Sequence, residues 1–478
     1  MCVLAFMAAL VVHPSQAQSA ELGVVGDITW GQSRADVDRE VELMRAAGVR
    51  WIRASVNWRW LEADQKGTID TGLLAQYDYA IDRARQAGLQ VLMPVQDGVP
   101  YWASSDPNKR IENGSRRWDQ VRPPSDMGDF GDFVRFVVDR YSDRGVHAYE
   151  IWNEPNIRWF WSPQPDAGGF VKMLRAGSSA VRAADPTATV VLGGLSKSDF
   201  EYLEDVYAAG GKDLFDAVGV HPYTYGVDPE VSWMGTNSGE DPHRLSYNSF
   251  PALKEVRATM EAHGDAHKKV WITEFGYSTT SADGGVSEAR QAEFLVKSLR
   301  QVERLPWVHS LFVYQARDTP FNNTDTYEGR FGLMTTDWKP KPAYGALRAY
   351  TGGRPASPPP SVNAPSVVTR PGKGNKGKGR RRKPRISVRR SRGRLSINGR
   401  VPRALRSGAR VRLVLQRYSP RTHRWHQRRV LAKLTGSRYS HHWRAGKLRH
   451  GRWRVRAEVL RPLAPVSRSP FRRFRMRL

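Results

Sequence analysis

The chain has 478 residues and a formal net charge of +28, with 75 Lys plus Arg against 47 Asp plus Glu and a single cysteine. That length exceeds one ordinary domain and suits a large α/β domain followed by a small module. From Arg354 onward stand 38 basic residues against one acid, Glu458, so the basic character belongs to the tail alone, and Cys2 by itself supplies neither a disulfide nor a thiolate metal site.

Residues 1–20 begin MCVLAFMAALVV, too short to span a bilayer, and continue SQAQSA, whose small residues suit signal-peptidase cleavage after Ala17 or Ala20. No Lys or Arg precedes the apolar run, which leaves a buried amino-terminal helix as the alternative. The expectation is a secreted or cell-surface protein. No later run is apolar enough to span a membrane in the mature form.

From residue 21 to 352, short apolar runs alternate with amphipathic segments. Eight strands are predicted: 22–28, 51–56, 89–95, 148–153, 189–194, 217–223, 269–275 and 310–316. Between them the apolar spacing is helical: Val37, Val41 and Met44 run from a Ser33 cap to a stop at Gly48, Leu73, Tyr77, Ile81 and Ala84 precede Gly88, and Ala292, Leu295, Leu299 and Val302 form a third face. Strand and helix repeated eight times predict an α/β fold, a parallel (β/α)8 TIM barrel. A doubly wound open sheet is the rival, but GDITWGQS after the first strand lacks the GxGxxG spacing such a fold uses.

Two carboxylates end strands of this barrel: Glu154 in YEIWNEPN closes the fourth and Glu274 in WITEFGYS the seventh. Strand ends are where the barrel gathers its chemistry, and a carboxyl pair about 5 to 5.5 Å apart is the machinery of retaining glycoside hydrolysis. A wider gap implies inversion. An ionised nucleophile also opposes ionisation of its partner, which keeps that partner protonated as the acid.

WNEP followed by TEFG resembles glycoside hydrolase clan A, closest to families 39 and 5, over residues 21–352. The resemblance implies Glu154 as acid/base, Glu274 as nucleophile and Asn153 as the donor to the sugar 2-hydroxyl. It implies a place near the nucleophile for Arg53, His221 and Tyr223. Where the family often carries a Trp at the end of strand eight beneath the sugar, this chain has Tyr314 and Gln315. A carbohydrate is then the substrate, with no cofactor and no metal; the histidines show no ligand spacing. Glu150 reads as a structural ion-pair partner. A barrel that binds glycan without turnover is the alternative function.

Aromatic residues follow several strand ends and suit stacking on sugar faces: Trp159 and Trp161 beyond Glu154, Tyr101 and Trp102 after strand three, and Trp233 after strand six. Each can equally be a loop anchor.

Residues 353–385 are rich in Pro, Gly and cations and read as a linker. From 386 to 478 the pattern alternates with period two, as in RWRVRAEVL, and predicts an Arg-rich β-sandwich resembling bacterial immunoglobulin-like domains. Its arginines suit an anionic envelope or matrix polymer; no aromatic signature of sequence-specific nucleic-acid binding is present.

Overall fold

The computed structural model describes residues 20–96, 98–106, 122–235, 240–319 and 326–353, and the strands of a second unit between 385 and 476. The expected leader and linker fall almost wholly outside the described residues. Two compact units divide near residue 362.

In the first unit the strands are β1 (Glu21–Val25), β2 (Trp51–Arg53), β3 (Val56–Asn57), β4 (Gln90–Gln96), β5 (Ala148–Ile151), β6 (Thr189–Ser196), β7 (Ala217–His221), β8 (Lys269–Phe275) and β9 (Val308–Val313). Each pairs in parallel with its neighbours, β2 with both β1 and β4, and β9 returns to β1, so the sheet closes. β3 continues the second staff of the barrel after a short break. The closed cylinder therefore has eight staves, and all eight predicted strands are present.

Closure works because the interior fills with side chains of matched size. Val25, Leu92, Ala148, Val191, Ala217, Trp271 and Phe312 form one buried apolar cluster of the barrel strands. A Cβ on Gly23 would meet the Phe312 ring at 2.4 Å, so this ring of β9 is accommodated by a missing side chain on β1.

The outer ring holds α1 (Arg34–Ala46), α2 (Trp58–Leu61), α3 (Thr71–Gln86), α4 (Met127–Tyr141), α5 (Ala167–Ala184), α6 (Phe200–Ala208), α7 (Leu253–Ala262), α8 (Glu288–Val302) and α9 (Pro342–Tyr350). Ser33 caps α1 by accepting from the Asp36 amide, and Asp70, Asp126, Asp166, Asp199 and Ser287 cap α3, α4, α5, α6 and α8 in the same way. Their apolar stripes, such as Val37, Val41 and Met44, are buried against the sheet. Among the described residues no helix is long and apolar enough to cross a membrane.

The second unit contains β10 (Arg385–Ser391), β11 (Arg394–Arg400), β12 (Arg410–Ser419), β13 (Arg424–Thr435), β14 (Arg438–Arg444), β15 (Gly451–Arg461), β16 (Ala464–Arg468) and β17 (Arg472–Met476), paired antiparallel throughout. The register sets Val455, Ala457 and Val459 opposite Leu415, Leu413 and Val411. Ile397 and Leu413 are fully buried.

Candidate active site

The two glutamates reach the mouth by different backbone routes. Glu274 is the penultimate residue of β8. Glu154 lies beyond β5 in a turn where Trp152 has φ 74° and Glu154 φ 44°, left-handed values that a non-glycine residue adopts only under constraint. The constraint is visible: the Trp152 ring is buried against Phe130 and Trp161, its indole donates to the Phe160 carbonyl, and the Glu154 amide donates to Gly194 O at 2.9 Å.

Arg53, at the end of β2 and only 1% exposed, ties the site together. Its Nε donates to Glu150 at 2.7 Å, Nη1 to Glu274 at 2.5 Å and Nη2 to the Asn153 side-chain oxygen at 2.8 Å. With that oxygen engaged, Asn153 presents its amide nitrogen as a donor to a ligand. Glu150 has the structural role expected of it, also accepting from the Gly194 amide and the Thr273 hydroxyl.

His221, fully buried at the end of β7, stands between the two carboxylates. Its Nδ1 lies 2.9 Å from Glu154 Oε1 and 3.8 Å from Glu274 Oε2, while Nε2 is 3.0 Å from Thr273 Oγ1. The two glutamate oxygens are therefore no farther apart than the sum of the first two distances, about 6.7 Å, within reach of one anomeric carbon. Tyr223 donates to Glu274 Oε2 at 3.0 Å.

Electrostatics assign the ionised partner. Burial pushes the Glu274 carboxyl up, but His221, Arg53 and the hydrogen bonds from Tyr223 and Arg53 outweigh it and hold the pKa below the ordinary value. Burial pulls His221 down, and the charges of Glu274 and Glu154 with the Glu154 hydrogen bond overcome it, leaving the imidazole raised. Tyr223 and Tyr314 lie well above the usual phenol range because they are buried beside Glu274, so both remain neutral donors.

Tyr314 follows β9 and packs edge-on against Tyr223 and Phe331 at 6.2 and 5.3 Å, with a cis peptide bond to Gln315. Trp159 is 46% exposed on the rim beside Arg158, as a stacking platform requires. Trp161 differs from the expectation. It is 2% exposed and wedged between Trp152 and Phe170, where it supports the Glu154 turn from behind. Trp102 and Tyr101 are anchors: the indole donates to Glu62 O and the phenol accepts from Arg59.

Thr273, Lys197 and Glu328 were not anticipated from sequence. Strict alternation turns Thr273 away from the side Glu274 faces, yet a register irregularity between Ile272 and Phe275 lets both serve the site. Glu328 stays open to solvent on one side but is otherwise ringed by protein, and burial with the Glu274 and Glu154 charges pushes it up to about 7.

A family model described as cellulase (glycosyl hydrolase family 5) matches residues 13–309. Among curated proteins the chain is similar to a β-xylosidase of Geobacillus stearothermophilus, 23% identical over 255 residues, and to one of Caldicellulosiruptor saccharolyticus, 22% over 244; each match takes in 48% of this chain and 47% of the relative. The chain thus spans about half the length of the curated relatives it matches. Solved structures of like fold include a family 39 glycoside hydrolase from Bacteroides cellulosilyticus WH2, with TM-score 0.54, 18% identity and coverage of 90% of this chain and 80% of that one. Another is a monomeric β-xylosidase from Caulobacter crescentus CB15, with TM-score 0.50, 17% identity and coverage of 93% and 96%.

Proposed function

The chain belongs to the cellulase family, glycosyl hydrolase family 5, and from that premise we propose that it is a retaining β-glycosidase in which Glu274 is the nucleophile and Glu154 the acid/base. The observation that carries this reading is His221 spanning both carboxylates at 2.9 and 3.8 Å. The resulting ceiling on one oxygen–oxygen distance admits the about 5–5.5 Å of retention and favours it over the wider gap of inversion.

In the first step an oxygen of Glu274 bonds to the anomeric carbon as the bond to the departing oxygen breaks, and Glu154 delivers a proton to that oxygen. In the second, Glu154 takes a proton from water, whose oxygen displaces Glu274 and regenerates the free carboxylate. Arg53 and Tyr223 hold Glu274 ionised and aimed, and Asn153 offers its amide to the 2-hydroxyl, a contact that strengthens as the ring gains oxocarbenium character. A barrel that merely holds glycan needs no proton donor beside an ionised carboxylate. The curated relatives favour a β-xyloside as substrate.

The protein acts outside the cytoplasm after removal of a leader within residues 1–20. Its second unit is a β-sandwich whose arginines dock the enzyme on an anionic envelope or matrix polymer; the antiparallel strands and the register that sets apolar positions of β12 opposite those of β15 support that architecture.

A panel of aryl β-glycosides, led by the xyloside, tests the activity with wild type, Glu154→Gln and Glu274→Gln. Turnover by wild type, with both variants reduced at least a thousandfold on poor leaving groups, is expected on the order seen for essential groups of this kind. Three equally inert proteins on every sugar would refute it.

A further inference from the structure

Lys197 follows the last residue of β6 in a left-handed conformation, φ 65°. Its position is fixed from the acid loop: Asn156, two residues after Glu154, accepts from the Ser196 amide at 2.9 Å and donates to the Ser196 carbonyl at 3.0 Å and to Asp199 at 2.8 Å. Lys197 also forms an isolated backbone bridge with His221, the partner of Glu154. The residue is thus built into the acid side of the mouth.

Its ammonium is half-buried and lies over two phenol rings, 4.8 Å from the centroid of Tyr247 and 6.0 Å from that of Tyr225. Among the described residues no hydrogen-bond acceptor or ion-pair partner engages Nζ. The nearby acids are committed elsewhere: Asp199 accepts from Asn156 and the Tyr202 amide, and Glu240 from Ser246 and Asn248. Burial lowers the Lys197 pKa, and the charges of Glu240, Asp199 and Glu154 pull it back. Beside it Tyr225 is 51% exposed and stacked on Tyr327 at 5.7 Å, a flat apolar wall leading out of the site.

We propose that Lys197 is the leaving-group contact of this cleft, where its ammonium binds a carboxylate carried by the sugar or aryl group that departs. The inference rests on the glycosidase reading, because Glu154 protonates the departing oxygen and Lys197 stands on that side. A desolvated ammonium held by ring faces keeps its N–H donors for a ligand, and an anion is the partner that best offsets its lost hydration.

The test compares two nitrophenyl β-glycosides of the sugar turned over fastest in the panel above, one with a carboxylate on the phenyl ring and one without. Full-length wild type, Lys197→Met and Lys197→Arg are measured, with Lys197→Gln in place of Met should Met fail to fold. The expected result is that Lys197→Met loses about tenfold more kcat/KM on the charged substrate than on the neutral one, through KM, while Lys197→Arg keeps most of the preference. Added salt should erode the wild-type preference. Equal losses on both substrates, or a salt-independent ratio, overturn the inference alone; absence of turnover on every sugar overturns the glycosidase reading and this inference with it.

Discussion

His221 Nδ1 and Glu154 Oε1, 2.9 Å apart, share one proton. Thr273 gives its single hydroxyl proton to Glu150 and can only accept from His221, so Nε2 carries a hydrogen. Nδ1 then either donates as imidazolium to a Glu154 carboxylate or accepts from a Glu154 carboxylic acid. The two forms hold the same number of protons and differ only in which atom carries one of them. Both the raised His221 pKa and the lowered Glu274 pKa fit this one extra proton beside an ionised Glu274.

Replacing His221 with Asn removes one of the two places where that proton can reside. The alkaline limb of kcat/KM against pH should move acidward by about one unit, with the acid limb much less affected. An unchanged alkaline limb would show that His221 does not hold the proton that this limb reports.

The same ring depends on a missing side chain. A Cβ on Gly194 would meet His221 Nε2 at 2.1 Å and Thr273 Oγ1 at 2.6 Å, so Gly194→Ala must push the imidazole off Glu154 or move the end of β6. We expect a loss of about 1–3 kcal/mol in urea unfolding and at least tenfold in kcat. Gly345→Ala is the control: nothing lies within 4 Å of its would-be Cβ in α9, and it should be neutral or gain about 0.5–1 kcal/mol.

Arg53→Met leaves Glu150 and Glu274 buried without their cation. Losing one partner of such a pair costs about 3–5 kcal/mol, more than the attraction between the ions is worth. The Glu274 pKa also rises when this charge is removed, so any residual activity should have its acid limb shifted upward. A variant with wild-type stability and pH profile would show that Arg53 only fills space.

Much of this was legible in the sequence because strands and strand ends are local signals. Eight apolar runs gave eight staves, and Glu154, Glu274, Arg53, His221 and Tyr223 could be placed at the mouth since each lies at or near the end of a run. Thr273 was hidden by a break in alternation, and Gly194 reads as any strand glycine until the rings across from it are known. Lys197 looks like a surface lysine in SKSD; only the turn pinned by Asn156 sets it against Tyr247 and Tyr225. Trp161 and Trp159 carry the same local signal, and tertiary packing alone sends one inward and leaves the other on the rim.

Glu40 carries a pH dependence of stability. Its carboxyl is fully buried, accepting from the Asp27 amide at 2.8 Å and from Gln32 at 2.9 Å, and burial with the Asp27 charge raises its pKa from 4.5 to about 8. A raised folded-state pKa gives stability that is complete below the unfolded value and lost as pH climbs through the folded one. His221 adds a contribution of the same sign above its ordinary 6.5, whereas Glu274, with a lowered pKa, contributes above 4.5 and loses its share as pH falls through the depressed value. Glu40→Gln stays uncharged throughout, so its Tm should gain on wild type steadily from about pH 5 to about pH 9. A constant difference across that range would show that Glu40 does not take up a proton on folding.

The arginine-rich second unit should govern retention on polyanions. Residues 354–478 hold 38 basic side chains and one acid, while the preceding part has an acidic balance, so the full chain should bind heparin or phosphate resin and elute earlier as salt rises. A chain ending at residue 353 should flow through the resin while hydrolysing a soluble aryl glycoside at the full-length rate, because the site residues all lie in the barrel. On an insoluble anionic polymer carrying the scissile sugar, the full chain should be faster at low salt and lose that advantage at high salt. If the shortened chain is retained as strongly as the whole one, the arginines do not govern docking and their abundance has no bearing on where the enzyme works.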